Sequence, residues 1–104
     1  MSLRVDDAVA CIERHARLKS LIFEAHAIAQ ASLEAARLDF SRAARARKLA
    51  EKLAEIEKKV DEEHDCKQTT YIKLRGTIMQ AYHEAIDILR ESLLKEYSPR
   101  NEKT

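Results

Sequence analysis

The sequence predicts an all-α fold: an antiparallel three-helix bundle with long helices, the alternative being a long helical hairpin that dimerises as a coiled coil. Three observations carry this. The 104-residue chain has one Gly, one Pro, no Trp, 36% charged and 45% apolar residues, many of the latter Ala, a composition typical of long helices. Apolar residues recur in alternating three- and four-residue steps, the spacing of one helical face. Two segments, near 38–41 and 61–70, carry capping and turn chemistry, and a bundle of this size needs two reversals. The predicted helices span about 5–38, 41–62 and 66–97, one domain over 1–97 with a disordered tail over 98–104. Such a chain buries a thin core.

The first helix has Asp6 or Ser2 to cap it, with acids placed favourably in its first turn. Val5, Val9, Ile12 and Ala16 step along one face. The segment 15–20 is more polar, and Ser20 could restart a helix, although nothing there breaks one. Ile22, Ala25, Ile28 or Ala29, Leu33, Ala36 and Phe40 form the next stripe. Ala is dense across 25–50, so helix axes can approach closely while each contact buries little area.

Asp39 and Ser41 offer caps for a turn near 38–41. Against it stand Arg42, Arg45, Arg47 and Lys48, which would oppose the dipole in the first turns of a new helix. Either the helix runs through, or another group stabilises those cations; the need for two reversals favours the turn. Leu49, Leu53, Ile56 and Val60 continue the core pattern. Asp65 to Gln68 then matches a capping box with Asp as the cap.

The third helix, over 66–97, organises the chain. Tyr71, Leu74, Ile78, Tyr82, Ala85, Leu89 and Leu93 form one stripe, and Ile72, Met79 and Ile86 repeat every seven residues beside it. At roughly 100° per residue the two sets cover about 140° of the helix. One neighbour needs less, so this helix has two neighbours or one neighbour and a partner. Pro99 disfavours helix at Ser98.

The formal charge of +1 gives no overall pull toward nucleic acid or anionic lipid. The basic run Arg37, Arg42, Arg45, Arg47 and Lys48 reads as a solvated face with intramolecular ion pairs, or as a dock for an acidic partner. It has no interleaved aromatics to stack bases. No apolar run approaches the roughly 20 residues of a membrane span. Asp6 and Asp7 argue against a mitochondrial presequence, and no signal-peptide pattern is present. Two cysteines, Cys11 and Cys66, are too few for a disulfide framework and fit a reducing compartment. A soluble cytoplasmic protein is the expectation.

Catalytic signatures are missing: the chain has no Gly-rich phosphate loop, nucleophile elbow or H-E-x-x-H. Cys11 and His15 lie four apart and could face one metal, and Asp61 and His64 match half of a di-metal motif. Further ligands are lacking, so neither a metal nor another cofactor is expected. His83 and Asp87 read as a surface hydrogen-bonded pair.

Residue spacing resembles the MIT (microtubule interacting and trafficking) domain family over about residues 22–95. The carrying residues are Ile28 and Ala31, then Phe40, Ala43 and Ala50, then Leu74, Arg75, Ile78, Ala85 and Ile88. Leu38-Asp39 stands where that family usually has Gly before the aromatic, and residues 1–20 would extend the first helix. The resemblance implies a three-helix bundle without catalysis, acting as an adaptor in vesicle trafficking or protein transport. It implies a partner's helical or extended peptide held beside the third helix, with Ile72, Met79 and Ile86 lining the groove and Arg75 and Arg90 meeting acids. The same three apolar residues could instead close the core or a homodimer seam. A structural coiled-coil subunit or a small helical chaperone are the competing expectations.

Overall fold

The computed structural model describes residues 5–36, 38–63 and 65–97, with side chains described to residue 94. Over these residues the chain forms three helices: α1 (Val5–Ala35), α2 (Phe40–Glu63) and α3 (Gln68–Tyr97). Each packs against the other two. The order is antiparallel. His15 and Lys19, in the first half of α1, meet Asp61, late in α2. Arg42, at the start of α2, meets Glu91, near the end of α3. The expected tail, 98–104, lies outside the described residues.

The core is graded along the bundle. Leu18 and Ile22 of α1, Leu53, Ile56 and Val60 of α2, and Leu74 and Ile78 of α3 are buried toward the α2–α3 loop. Toward the α1–α2 turn most buried residues are small, Ala25 and Ala29, Ala43 and Ala46, Ala81 and Ala85, with Ile88 a large side chain buried among them. A fully buried Leu or Ile contributes about 1.5–3 kcal/mol and a single methyl about 0.8. The end with large side chains therefore supplies most of the hydrophobic stabilisation. At the thin end helix axes come close, and the buried Ser32 uses the proximity. Its hydroxyl lies 2.8 Å from the Ile28 carbonyl and 3.1 Å from the Ala85 carbonyl of α3, one proton shared between them.

α1 runs unbroken through 15–20, so Ser20 caps nothing. It stops at Ala35 rather than 38, and a turn follows in which Asp39 N–H donates to the Ala36 carbonyl at 2.8 Å. Asp39 is the cap of α2. Its carbonyl accepts the first helical bond, from Ala43 N–H at 2.9 Å, and its carboxylate accepts from Arg42 N–H at 3.1 Å, one of the amide donors a helix start leaves unpaired. Phe40, expected in the α1 stripe, is 87% exposed, because the chain has already turned at that point.

The cations at the start of α2 find carboxylates from outside that helix. Arg42 pairs with Asp39 and with Glu91 at 3.2 Å, and Arg45 reaches Glu91 at 3.1 Å. These bonds, Arg45 first and Arg42 second, hold the Glu91 carboxyl below its ordinary range. Arg47 and Lys48 are exposed, and Arg37 lies outside the described residues.

The start of α3 corrects the capping-box expectation. The helix begins at Gln68, not Cys66, and its first bond runs from Tyr71 N–H to the Lys67 carbonyl at 3.0 Å. Cys66 has φ 69°, a left-handed conformation that a helix start cannot include. Asp65 instead accepts from Lys67 N–H at 3.0 Å, a two-residue turn. That bond is the main cause of its lowered carboxyl pKa.

Cys66 is joined to Cys11 by a disulfide, Cα–Cα 5.0 Å. The two cysteines are thus a structural pair, and their number no longer speaks for a reducing compartment. The leading α1 stripe is corrected too. Val5 is 77%, Val9 46% and Ile12 67% exposed. The bundle is met by Cys11, Arg14 and His15 on another side of the helix, and the stripe is turned roughly 120° or more from the Leu18 direction. No described helix is long and apolar enough to cross a membrane.

Candidate functional site: the groove between α1 and α3

The core-facing side of α3 is the line Leu74, Ile78, Ala81, Ala85 and Ile88, all buried. About 100° around the helix from Leu74 lies Arg75, and further along the same flank, within about 60°, lie Ile86, Met79, Ile72 and Arg90. The five residues expected to bind a partner therefore share one flank of α3. Ile72 is 58% exposed, Met79 and Ile86 are half-buried, and Arg75 and Arg90 are exposed. The apolar three are not enclosed by this chain. The exposed Arg90 guanidinium lies 3.6 Å from Asp87.

This flank looks onto α1. Between the two helices is an open depression of about 430 Å³ lined by Ala16, Arg17, Ser20 and Leu21 of α1 and by Tyr71 and Arg75 of α3. Leu21, Ile28, Tyr71 and Tyr82 are half-buried against the core and continue an apolar floor along the groove. Arg17 and Arg75 stand over it from opposite walls, and neither makes an ion pair with any described residue. Two guanidiniums left over apolar ground suit carboxylates delivered by something else.

The sequence reading did not include Arg17, Leu21 or Tyr71 in the site. Their spacing marks only the edge of a helical face, and which edge meets α3 follows from the packing of all three helices. Some other charges are paired inside the molecule. Lys19 Nζ lies 2.9 Å from Glu57 and 3.0 Å from Asp61, and His15 Nε2 is 3.3 Å from Asp61. Lys19 is held above its ordinary pKa by these bonds, Glu57 first, and the Asp61 carboxyl below its own, chiefly by Lys19. The acids Asp61, Glu62, Glu63 and Asp65 sit at the opposite end of the bundle from the basic start of α2.

Of the residues weighed for metal chemistry, Cys11, His15 and Asp61 come near one another, but each has another partner. Cys11 is bonded to Cys66, Asp61 to Lys19 and His15, and His64 lies outside the described residues. Among the described residues no three His, Cys, Asp or Glu side chains are grouped to hold a metal ion. His83 packs edge-on to Tyr82, with ring centroids 6.2 Å apart, while Asp87 turns to Arg90. No family model, curated protein or solved structure matches this chain.

Proposed function

We propose that the chain is a non-catalytic protein-interaction module that holds an acidic amphipathic helix or peptide of a partner in the α1–α3 groove. The observation that carries this is the pair of guanidiniums, Arg17 and Arg75, standing unpaired among described residues over the Leu21–Tyr71 floor. An amphipathic ligand would lay its apolar face against Leu21, Tyr71, Met79 and Ile86 and set carboxylates against the two cations, the helix-in-groove mode. Exposed apolar surface beside a groove is the usual mark of such a contact. The spacing resemblance to MIT domains supports the same reading, and its finer form is a cytoplasmic adaptor in vesicle trafficking.

The test is selection from a display library of helical peptides against the folded chain. Enriched sequences are expected to alternate apolar and acidic residues. Their binding should be lost with Met79→Glu plus Ile86→Glu at unchanged helix content. It should weaken at least tenfold with Arg17→Ala plus Arg75→Ala, losing salt dependence at the same time. Selected peptides without acidic bias, or indifferent to both double variants, overturn the proposal.

A second reading has its own observation. Val5, Val9, Ile12, Ala16 and Phe23 lie along one outward stripe of α1, and Phe23 is 75% exposed. That spacing is a short coiled-coil seam, suited to a homodimer or a structural subunit. Light scattering at low micromolar concentration separates the readings. A stable dimer, dissolved by Ile12→Glu plus Phe23→Glu, favours the seam.

A further inference from the structure

We propose that Cys11–Cys66 is a reversible thiol–disulfide site that fastens and releases the leading turns of α1. α1 has no buried residue before Leu18. Thirteen residues, Val5 to Arg17, therefore project with no side chain fully inside the core. Burial stabilises this stretch little, and isolated helices of such length are marginal in water. Three ties among the described residues meet at one place. Cys11 is bonded to Cys66, Arg14 Nη1 donates to the Cys66 carbonyl at 3.1 Å, and His15 meets Asp61 at 3.3 Å. The two noncovalent ties lie at the exposed surface, where each contributes little.

The bond is also open to exchange. Cys66 is exposed and lies in the short loop between α2 and α3. It is held at φ 69°, a backbone state that costs energy for a residue other than glycine. A dithiol reductant would attack one sulfur, form a mixed disulfide and leave as its own cyclic disulfide. One S–S bond breaks and one forms, and two electrons and two protons pass to Cys11 and Cys66. Reduction removes the covalent tie and lets the loop leave its left-handed state. The Arg14 bond to the Cys66 carbonyl depends on that loop position. Release of the first turns follows, while the core from Leu18 onward keeps its own contacts. The cavity wall at Ala16 and Arg17 belongs to the end of the released stretch, so peptide binding would respond as well; that extension alone rests on the docking reading.

The experiment is hydrogen exchange followed by mass spectrometry on the full chain, oxidised and then reduced with dithiothreitol, alongside Cys11→Ser plus Cys66→Ser. Reduction is expected to speed exchange at least tenfold across residues 5–17 and to leave Ile78–Ser92 protected. The double variant should match the reduced protein and ignore dithiothreitol. Reoxidation should restore protection and remove both thiols from alkylation. Unchanged exchange in 5–17 overturns the proposal. So does loss of protection throughout, which would make the bond a general structural requirement, and so does failure of the thiols to re-form the bond in air. None of these readouts involves a peptide, so the docking reading stands or falls separately.

Discussion

Ile72 and Ile78 are the same residue type, six positions apart on α3, in opposite environments. Ile78 is 0% exposed within the main core cluster, and Ile72 is 58% exposed. Truncating each to Ala removes identical atoms, so any difference reports the surroundings. Ile78→Ala leaves a cavity in that cluster and should cost about 3 kcal/mol, within the roughly 2–5 seen for such truncations. For a chain of this size that is roughly 12–15 °C in Tm. Ile72→Ala gives up only the fraction of side chain already covered, less than about 1 kcal/mol. Urea unfolding followed by far-UV circular dichroism, at equal m-values, measures both. Equal costs at the two sites would refute the reasoning, since Ile72 would then be enclosed, for example by a second copy, and unable to serve an open groove.

Two further outcomes are expected. Gly76 sits in α3 with nothing within 4 Å of an added Cβ, so Gly76→Ala should stabilise by up to about 1 kcal/mol through helix propensity alone, read as a higher urea midpoint. Glu91, Asp61 and Asp65 have folded pKa values below their ordinary ones. Their contribution is complete above the unfolded carboxylate range near 4 and is lost as pH falls through the depressed values. Acid titration of thermal stability should therefore show a decline below about pH 4, shallower in Glu91→Gln, which no longer bridges Arg42 and Arg45. An unchanged slope would remove Glu91 from that account.

What the sequence made legible follows from how local each cause is. α2 was readable almost entirely, because Leu49, Leu53, Ile56 and Val60 are spaced by helix geometry and all four are buried. The turn at Asp39 was readable from its capping chemistry, yet the remedy for the opposing cations was not, since Glu91 lies 49 residues from Arg42. The start of α3 was misplaced because Cys66 takes a left-handed backbone while tied to a residue 55 positions earlier, and nothing in residues 65–68 signals that. The α1 stripe Val5, Val9, Ile12 reveals a helix correctly but not which side of it has a neighbour. For the groove, the α3 flank was legible as excess apolar arc. The α1 wall, with Arg17 and Leu21, was not, because it depends on how three helices pack together.

The bond between residues 11 and 66 also changes the topology of the molecule. It closes a covalent ring that contains most of α1, the α1–α2 turn and all of α2, with α3 attached as a branch. A protease that nicks the exposed backbone near Leu38 would open this ring without dividing the molecule, and both pieces would migrate together until a reductant is added. A cut within α3 sheds a fragment at once. Electrophoresis of limited digests with and without reductant would therefore map cleavage sites directly onto ring and branch.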